Sequence, residues 1–347
     1  MGTLVIIGAG SVAAVQAARA VEAGHDVTLL VRPTRAAALR ASGLKLLGWP
    51  GRTDAVVLLT PDGAGVTVTD APDCVASADA VALAVPSNAT RTVAASIRGH
   101  LRPETPVFSW QNGVDNARWL AEELPDSPVH GAIVLYNAVR LDDGVFRYTI
   151  PNAVVYDVAA RRALPAGLDA DATTVVQPVR FVTNLLAVQW AKLLVNLVNG
   201  PLALVPMGYS EAFAHRDFRA CGRMVLEEGL ATVRAAGIEP EKLGDIDPRK
   251  ILLFLKLPAF LVPLLRPLLP PIDPDASPST AQMLKRGVPT EIDHLNGRIV
   301  ALAEDGGRRA PVNQRIAELV RQEEDKEPGA RRTWTAAMLR AELEAAR

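Results

Sequence analysis

The segment QWAKLLVNLVNG, residues 189–200, sets Lys192 and Asn196 four positions apart, on one face of a helix that is otherwise apolar. An ammonium and a carboxamide at that spacing suit delivery of a proton to a developing alkoxide and orientation of the donor. A lysine that lays its stem over apolar surface and keeps its head in water uses the same residue types. Three other places carry comparable chemistry. Gly8-Ala9-Gly10-Ser11-Val12-Ala13 follows an apolar run, and Gln111-Asn112-Gly113 stands between a strand-like and a helix-like stretch. Within STAQMLKRGVPTEIDHLNGRIVALA, Ser279 precedes Glu291 by twelve residues, and Ala310-Pro311-Val312-Asn313 follows.

The glycine-rich stretch reads GxGxxA. Gly8 permits a tight turn, Gly10 lets backbone approach a pyrophosphate, and Ala13 is small enough for a helix to pack on a strand. The helix that follows supplies N–H donors and the positive end of its dipole at Ser11, Val12 and Ala13. The next strand ends in Val31-Arg32-Pro33-Thr34-Arg35 and carries no carboxylate to bind a ribose 2′-hydroxyl. A guanidinium pairs bidentately with a 2′-phosphate, so NADP(H) is the expected cofactor, with Arg32 as its main reader and Arg35 more a solvated helix residue than a second one.

The elements that must hold these groups follow from periodicity. TLVIIGAG, the alanine-rich SVAAVQAARAVEAG and HDVTLLVR make a βαβ unit of the dinucleotide-binding kind. Strand and helix then alternate through ADAVALAVPS, NATRTVAASIRGHL, TPVFSW and QNGVDNARWLAEEL. From His130 to about Gln177 the runs GAIVLYNAVR, GVFRYTI and NAVVYDVA predict antiparallel strands that finish the sheet. Beyond Phe181 the pattern is helical. The expected organisation is α/β: a Rossmann-type domain over 1–182, a mostly helical substrate domain over 183–325 and a helical tail over 326–347. RQEEDKEPGARR, residues 321–332, reads as a solvated connector, and the tail is expected to dock through Trp334, Met338 and Ala341.

Composition limits the partners. Lys+Arg (37) nearly balance Asp+Glu (38), which argues against nucleic acid or an anionic membrane as main partner. Cys74 and Cys221 stand far apart, in no metal-ligand pattern, as expected of a reducing cytoplasm. MGTLVIIGAG reads as a strand and not as a signal peptide. The apolar stretch 251–271 is interrupted by Lys256, Arg266 and five prolines, so short broken helices over a pocket or a subunit contact are expected, not a span.

Taken in this order, the motifs resemble the ketopantoate reductase (2-dehydropantoate 2-reductase) family from residue 4 to about 320. The K-x-x-x-N helix and the TEID–LNG segment are the most specific parts. The resemblance implies NADPH-dependent reduction of a 2-oxo acid to a 2-hydroxy acid, with a place in pantothenate biosynthesis and a homodimer as the expected assembly. Lys192 becomes the general acid at the domain junction, and Asn196 orients it or binds a substrate hydroxyl. Asn112 holds the nicotinamide ribose or substrate. Ser279 matches a serine that bonds the substrate carboxylate, and Glu291 an acidic residue that binds substrate or positions the lysine. Asp293 and His294 diverge from Glu291 by helix geometry and are expected in solvent or packing.

Three departures qualify the match. Pro86 stands where a lysine is common, Gly200 where an asparagine is common, and Thr280-Ala281-Gln282-Met283 is a loose form of the usual run. They touch cofactor contact and the far end of the substrate more than the proton donor, which leaves room for a bulkier 2-oxo acid than ketopantoate. The rival readings are a β-hydroxyacid-type dehydrogenase, whose usual glycine-rich turn before the lysine helix is missing here, an opine-type enzyme, and a non-catalytic NADP-binding sensor.

Overall fold

A computed structural model describes residues 2–347 except 62, 64, 151, 170–176, 243, 245–246 and 258–277. The chain forms two compact units, Met1–Leu185 and Leu186–Arg347.

In the first unit the main sheet has eight strands among the described residues: β1 (Thr3–Ile7), β2 (Asp26–Leu30), β5 (Thr67–Thr69), β6 (Ala80–Leu83), β7 (Val107–Ser109), β8 (Val129–Val134), β11 (Val154–Asp157) and β12 (Val179–Val182). Their order is β12-β11-β8-β7-β6-β1-β2-β5. From β5 to β8 every neighbour is parallel. The chain winds outward through β1 and β2, then returns to the other side of β1 at β6. That reversal opens a crevice beyond the carboxyl ends of β1 and β6, where open α/β sheets bind ligands.

The strands are apolar on both faces because both are covered. In β1, Leu4 and Ile6 point into one core, while Val5 and Ile7 point into the other. The first core takes the alanine face of α1 (Ser11–Glu22), with Ala13, Ala14, Ala17 and Ala18 fully buried. The second is closed by Ala94 and Ile97 of α3 (Thr90–Ile97) and Leu120 of α4 (Asn116–Glu123).

The strands expected to complete the sheet behave differently. Only β11 runs antiparallel, against β8, and β12 then pairs parallel with β11. The middle runs leave for a second sheet, order β4-β3-β10-β9, built from β3 (Leu44–Leu47), β4 (Val56–Leu59), β9 (Asn137–Asp142) and β10 (Val145–Ile150). Leu44, Leu46, Leu58, Phe146 and Tyr148 of this sheet join the α1 core, so α1 is sandwiched between two sheets. A short helix, α2 (Pro33–Ser42), links β2 to β3.

The second unit is helical. Its first helix, α5 (Leu185–Asn196), carries Lys192 and Asn196, and α6 (Asn199–Leu204) follows after one tight turn. The stretch Leu185–Leu204 is long and apolar enough to cross a membrane, but it is mostly buried inside the protein, as a core helix is. Next come α7 (Tyr209–Ala214), the 20-residue α8 (Arg216–Ala235), α9 (Pro248–Lys256), α10 (Ser279–Lys285), α11 (Asn296–Asp305), α12 (Pro311–Glu324) and α13 (Ala336–Ala346). Around α8 pack α6, α7, α9, α11, α12 and α13. Most of the apolar stretch 251–271 lies outside the described residues; its beginning is the end of α9.

A carboxylate inside this bundle replaces water at a helix end. Glu228 of α8 accepts from the backbone N–H of Val312 (3.0 Å) and Asn313 (2.8 Å) and from Asn313 Nδ2 (2.9 Å). It thereby satisfies first-turn donors of α12 and faces the positive end of that dipole.

The tail differs from expectation. Thr335 caps the last helix by accepting from Met338 N, so Trp334 stands before the helix. The docked face is Trp334, Ala336, Leu339 and Leu343, whereas Ala341 is exposed and Met338 only half-buried. The connector is not simply solvated either. Glu323 is buried, and its carboxylate accepts from Lys326 Nζ (2.9 Å), Arg332 N (3.0 Å) and Trp334 Nε1 (3.2 Å).

Candidate active site

In the first unit the candidate cofactor residues gather at the carboxyl ends of the central strands. Gly8 has φ +117°, and a Cβ there would lie 2.7 Å from the Ala84 carbonyl oxygen beyond β6. Its N–H donates to Leu30 O at the end of β2 (2.9 Å), so the turn is held from both neighbouring strands. Ala9 is half-buried beside it. Gly10 is exposed, caps α1, and has no heavy atom near a built Cβ. A packed first glycine and an open second one, followed by the first-turn N–H groups of α1, are what a pyrophosphate needs. Ser11 and Val12 are half-buried in that turn, and Ala13 is fully buried. Tyr136 donates its hydroxyl to Val12 O (3.3 Å), tying the turn to the chain between the two sheets.

Arg32 caps α2 and is exposed, and among the described residues its guanidinium has no ion-pair partner. Arg35 is engaged elsewhere: it pairs with Asp143, in the turn between β9 and β10, which also pairs with Arg140. The Asp143 carboxyl is held below its usual range. Its partial burial opposes the charged form, and the bond and charge of Arg35, with the charge of Arg140, outweigh it.

Asn112 sits where β7 runs toward α4, followed by Gly113 at φ +97°. The segment is fixed by a buried polar network absent from the sequence reading. Ser87 Oγ donates to Asn112 O (3.0 Å), Asn116 Nδ2 donates to Ser87 Oγ (3.1 Å), and Thr90 Oγ1 donates to Asn116 Oδ1 (2.8 Å). Gln111 Nε2 in turn reaches Thr90 Oγ1 (2.7 Å) and Val85 O (3.0 Å). The loops after β6 and β7 are thus one unit. Pro86 is exposed at the start of the first of them, in the place where the resemblance expected a lysine. Ser-x-x-Thr just past a buried strand was the available sequence signal for this network.

In the second unit α5 is buried except along one stripe. Gln189, Lys192, Val195 and Asn196 are half-buried, and the residues between them are buried. Burial pushes the Lys192 ammonium down to about 8, against the opposing charge of Glu291. Glu291 is therefore near enough for its charge to act on the lysine, although the two are about one hundred residues apart in sequence. Its segment is anchored on both sides: Thr290 N donates to Glu324 Oε1 (2.7 Å), and Thr290 Oγ1 accepts from Ile292 N (3.2 Å). Asp293 is exposed and pairs with Arg321. Ser279 is exposed at the first position of α10, a helix that packs against α6.

Gly200 is a packing position. A Cβ there would lie 2.5 Å from Ile316 Cγ2, 2.8 Å from Asn296 Oδ1 and 3.1 Å from Ile292 Cδ1. Asn296 donates to Leu197 O (3.3 Å) and Asn313 Oδ1 (2.9 Å), so it links the turn between α5 and α6 to α11 and α12 beside Gly200. Asn199 is buried, and its Oδ1 accepts from the Tyr209 hydroxyl (3.1 Å).

Residues 4–160 match the model of the family described as ketopantoate reductase PanE/ApbA, and residues 184–324 match that of its C-terminal domain. The chain belongs to the ketopantoate reductase family. It is thereby an oxidoreductase of the class acting on a ketone or CH–OH group, and the fold is the family's N-terminal α/β domain followed by a helical C-terminal region. A 2-dehydropantoate 2-reductase of Pyrococcus abyssi is 25% identical over 327 residues, covering 92% of this chain and 97% of its own. That of Halobacterium salinarum is 26% identical over 287 residues, covering 78% and 85%. Among solved structures, a PanE/ApbA family ketopantoate reductase of Ralstonia eutropha superposes with a TM-score of 0.74 at 30% identity, covering 93% of this chain and 98% of that one. A D-mandelate dehydrogenase solved with NADH and anilino(oxo)acetate shares the fold, with a TM-score of 0.74 at 17% identity over 93% and 98%. Both family models end before residue 325, so α13 lies outside the residues they match.

Proposed function

We propose that the chain reduces a 2-oxo acid to the 2-hydroxy acid with NADPH, and that Lys192 is the general acid. The observation that carries this is the state of Lys192: an ammonium brought to about 8 by burial, beside Glu291, on the accessible stripe of an apolar helix. Hydride addition to a ketone carbon leaves charge on oxygen, and an acid whose pKa lies near the working pH transfers its proton most effectively. Asn196, one turn on, orients the ammonium or the substrate. Glu291 keeps Lys192 more protonated than burial alone would allow, and Ser279 is the candidate for the substrate carboxylate.

Gly8, Ala9, Gly10, Ser11, Val12 and Ala13 cradle the cofactor pyrophosphate, Arg32 reads the 2′-phosphate, and Asn112 holds the nicotinamide ribose or the substrate. The packed Gly8 and open Gly10 support that fit. NADPH, when bound, supplies the hydride. With Arg35 engaged by Asp143, the choice of NADPH over NADH rests on Arg32. The working location is cytoplasmic and the assembly a homodimer; a structurally similar ketopantoate reductase from Staphylococcus aureus is dimeric.

Lys192→Ala tests the reading. Turnover of 2-oxo acids falls by about 10²–10⁴-fold, while NADPH affinity, measured by fluorescence titration, hardly changes. Unaltered turnover sinks the mechanism.

A further inference from the structure

Lys192, Asn196 and Asn199 fall at i, i+4 and i+7, and the turn between α5 and α6 stays helical through Leu197 N donating to Leu194 O (3.2 Å). Asn199 therefore continues the face that carries the proposed acid. Its carboxamide oxygen takes the Tyr209 hydroxyl, and from Tyr209 a row of rings leads away. Phe213 stacks on Tyr209 at 6.4 Å with an interplanar angle of 14°, and Phe254 meets Phe213 edge-on at 6.1 Å and 69°. All three residues are half-buried. Arg219 clamps the far end: its guanidinium lies 5.6 Å from the Phe254 ring centroid and donates to Phe254 O (3.0 Å), Leu255 O (3.3 Å) and Leu257 O.

We propose that Tyr209, Phe213 and Phe254 form the apolar wall of the substrate site, and that the preferred 2-oxo acid carries an aromatic ring on or one carbon from its oxo carbon. The inference rests on Lys192 being the acid. A hydroxylated aliphatic chain needs polar partners, yet the single hydroxyl in this row is already committed to Asn199. A row of edge- and face-presenting rings at these separations accepts one more ring in the same geometry. Burial raises the Tyr209 phenol, so it stays a donor to Asn199 throughout the working range.

The test compares four substrates with NADPH: 2-oxo-2-phenylacetate, phenylpyruvate, pyruvate and ketopantoate. The expected kcat/KM for an aryl acid exceeds both aliphatic values by about ten-fold. Phe213→Ala lowers the aryl-to-pyruvate ratio of kcat/KM about ten-fold, mainly through KM for the aryl acid, and Phe213→Tyr restores it. Turnover of ketopantoate equal to or better than that of the aryl acids in the unsubstituted chain overturns the wall, as does an unchanged ratio in Phe213→Ala. No turnover with any of the four overturns the 2-oxo acid reading itself.

Discussion

Lys192 and Glu291 are electrostatically coupled in the second unit, where burial lowers the ammonium to about 8 and the carboxylate pulls the other way. If Lys192 delivers the proton as proposed, kcat for 2-oxo acid reduction should hold below pH 8 and decline above it. Replacing Glu291 with glutamine removes the opposing charge and moves that alkaline limb to lower pH. A pH–rate profile of both proteins checks the direction; a limb that stays put, or moves upward, excludes the coupling from catalysis.

Arg32 should decide between the two nicotinamide cofactors. Arg32→Gln is expected to raise KM for NADPH about ten-fold or more through loss of a charge-assisted contact, and to leave KM for NADH nearly unchanged. Arg35→Gln should change neither by much, because its guanidinium is held by Asp143. Steady-state kinetics with each cofactor give the four numbers, and a larger effect at Arg35 would reverse the assignment.

The glycines of the first turn differ in what they tolerate. Gly8→Ala forces a side chain toward Ala84 O at a positive φ and should cost stability by about 1–3 kcal/mol as well as cofactor affinity. Gly10→Ala meets no protein atom, so the protein should unfold at the same urea concentration and lose only NADPH affinity. Equal destabilisation of both variants would contradict the geometry.

In the second unit, Glu323 fixes the tail. Burial opposes its charged form, but the bonds from Lys326, Arg332 N and Trp334 outweigh that and hold its carboxyl below the ordinary value. Its contribution to stability is thus complete above the usual carboxylate range and is lost as pH falls through the depressed value. Glu323→Ala should destabilise the fold by about 1–3 kcal/mol at neutral pH and blue-shift no tryptophan but expose Trp334, giving a red-shifted emission. Identical acid unfolding curves for the two proteins would show that the tail is not held this way.

Legibility in the sequence followed the range of the interactions involved. The β1–α1–β2 unit could be read because its glycines, its alanine face and its strand runs are consecutive. The four-residue runs LKLL and VVLL carried no such sign, since VVLL pairs with LKLL and LKLL takes its other partner from β10, far along the chain, so tertiary pairing decides their sheet. Lys192 and Asn196 stood out by spacing. Ser87, Thr90 and Asn116 did not, because a buried hydrogen-bond network has no periodicity. The tail was misread by two residues: with Thr335 as cap, the helix begins at Ala336 and the buried set becomes Ala336, Leu339 and Leu343.

Gly200 illustrates the same limit in the opposite sense. A position that sequence alone marked as a change of substrate contact is filled by Ile316, Asn296 and Ile292. Gly200→Ala should lower stability by about 1–3 kcal/mol through overpacking, measured by urea unfolding, and a stability gain would show that the helices part easily there.

The second sheet also sets a schedule for synthesis. β3 pairs in parallel with β10 through Lys45 and Val145, about one hundred residues apart. During translation the hairpin of β3 and β4 leaves the ribosome long before its partner and must wait with unpaired edge groups and exposed leucines. Closing so long a loop is slow, and an exposed strand edge in the interval is a template for pairing with another chain. The first unit is therefore most open to aggregation until β10 has left the ribosome.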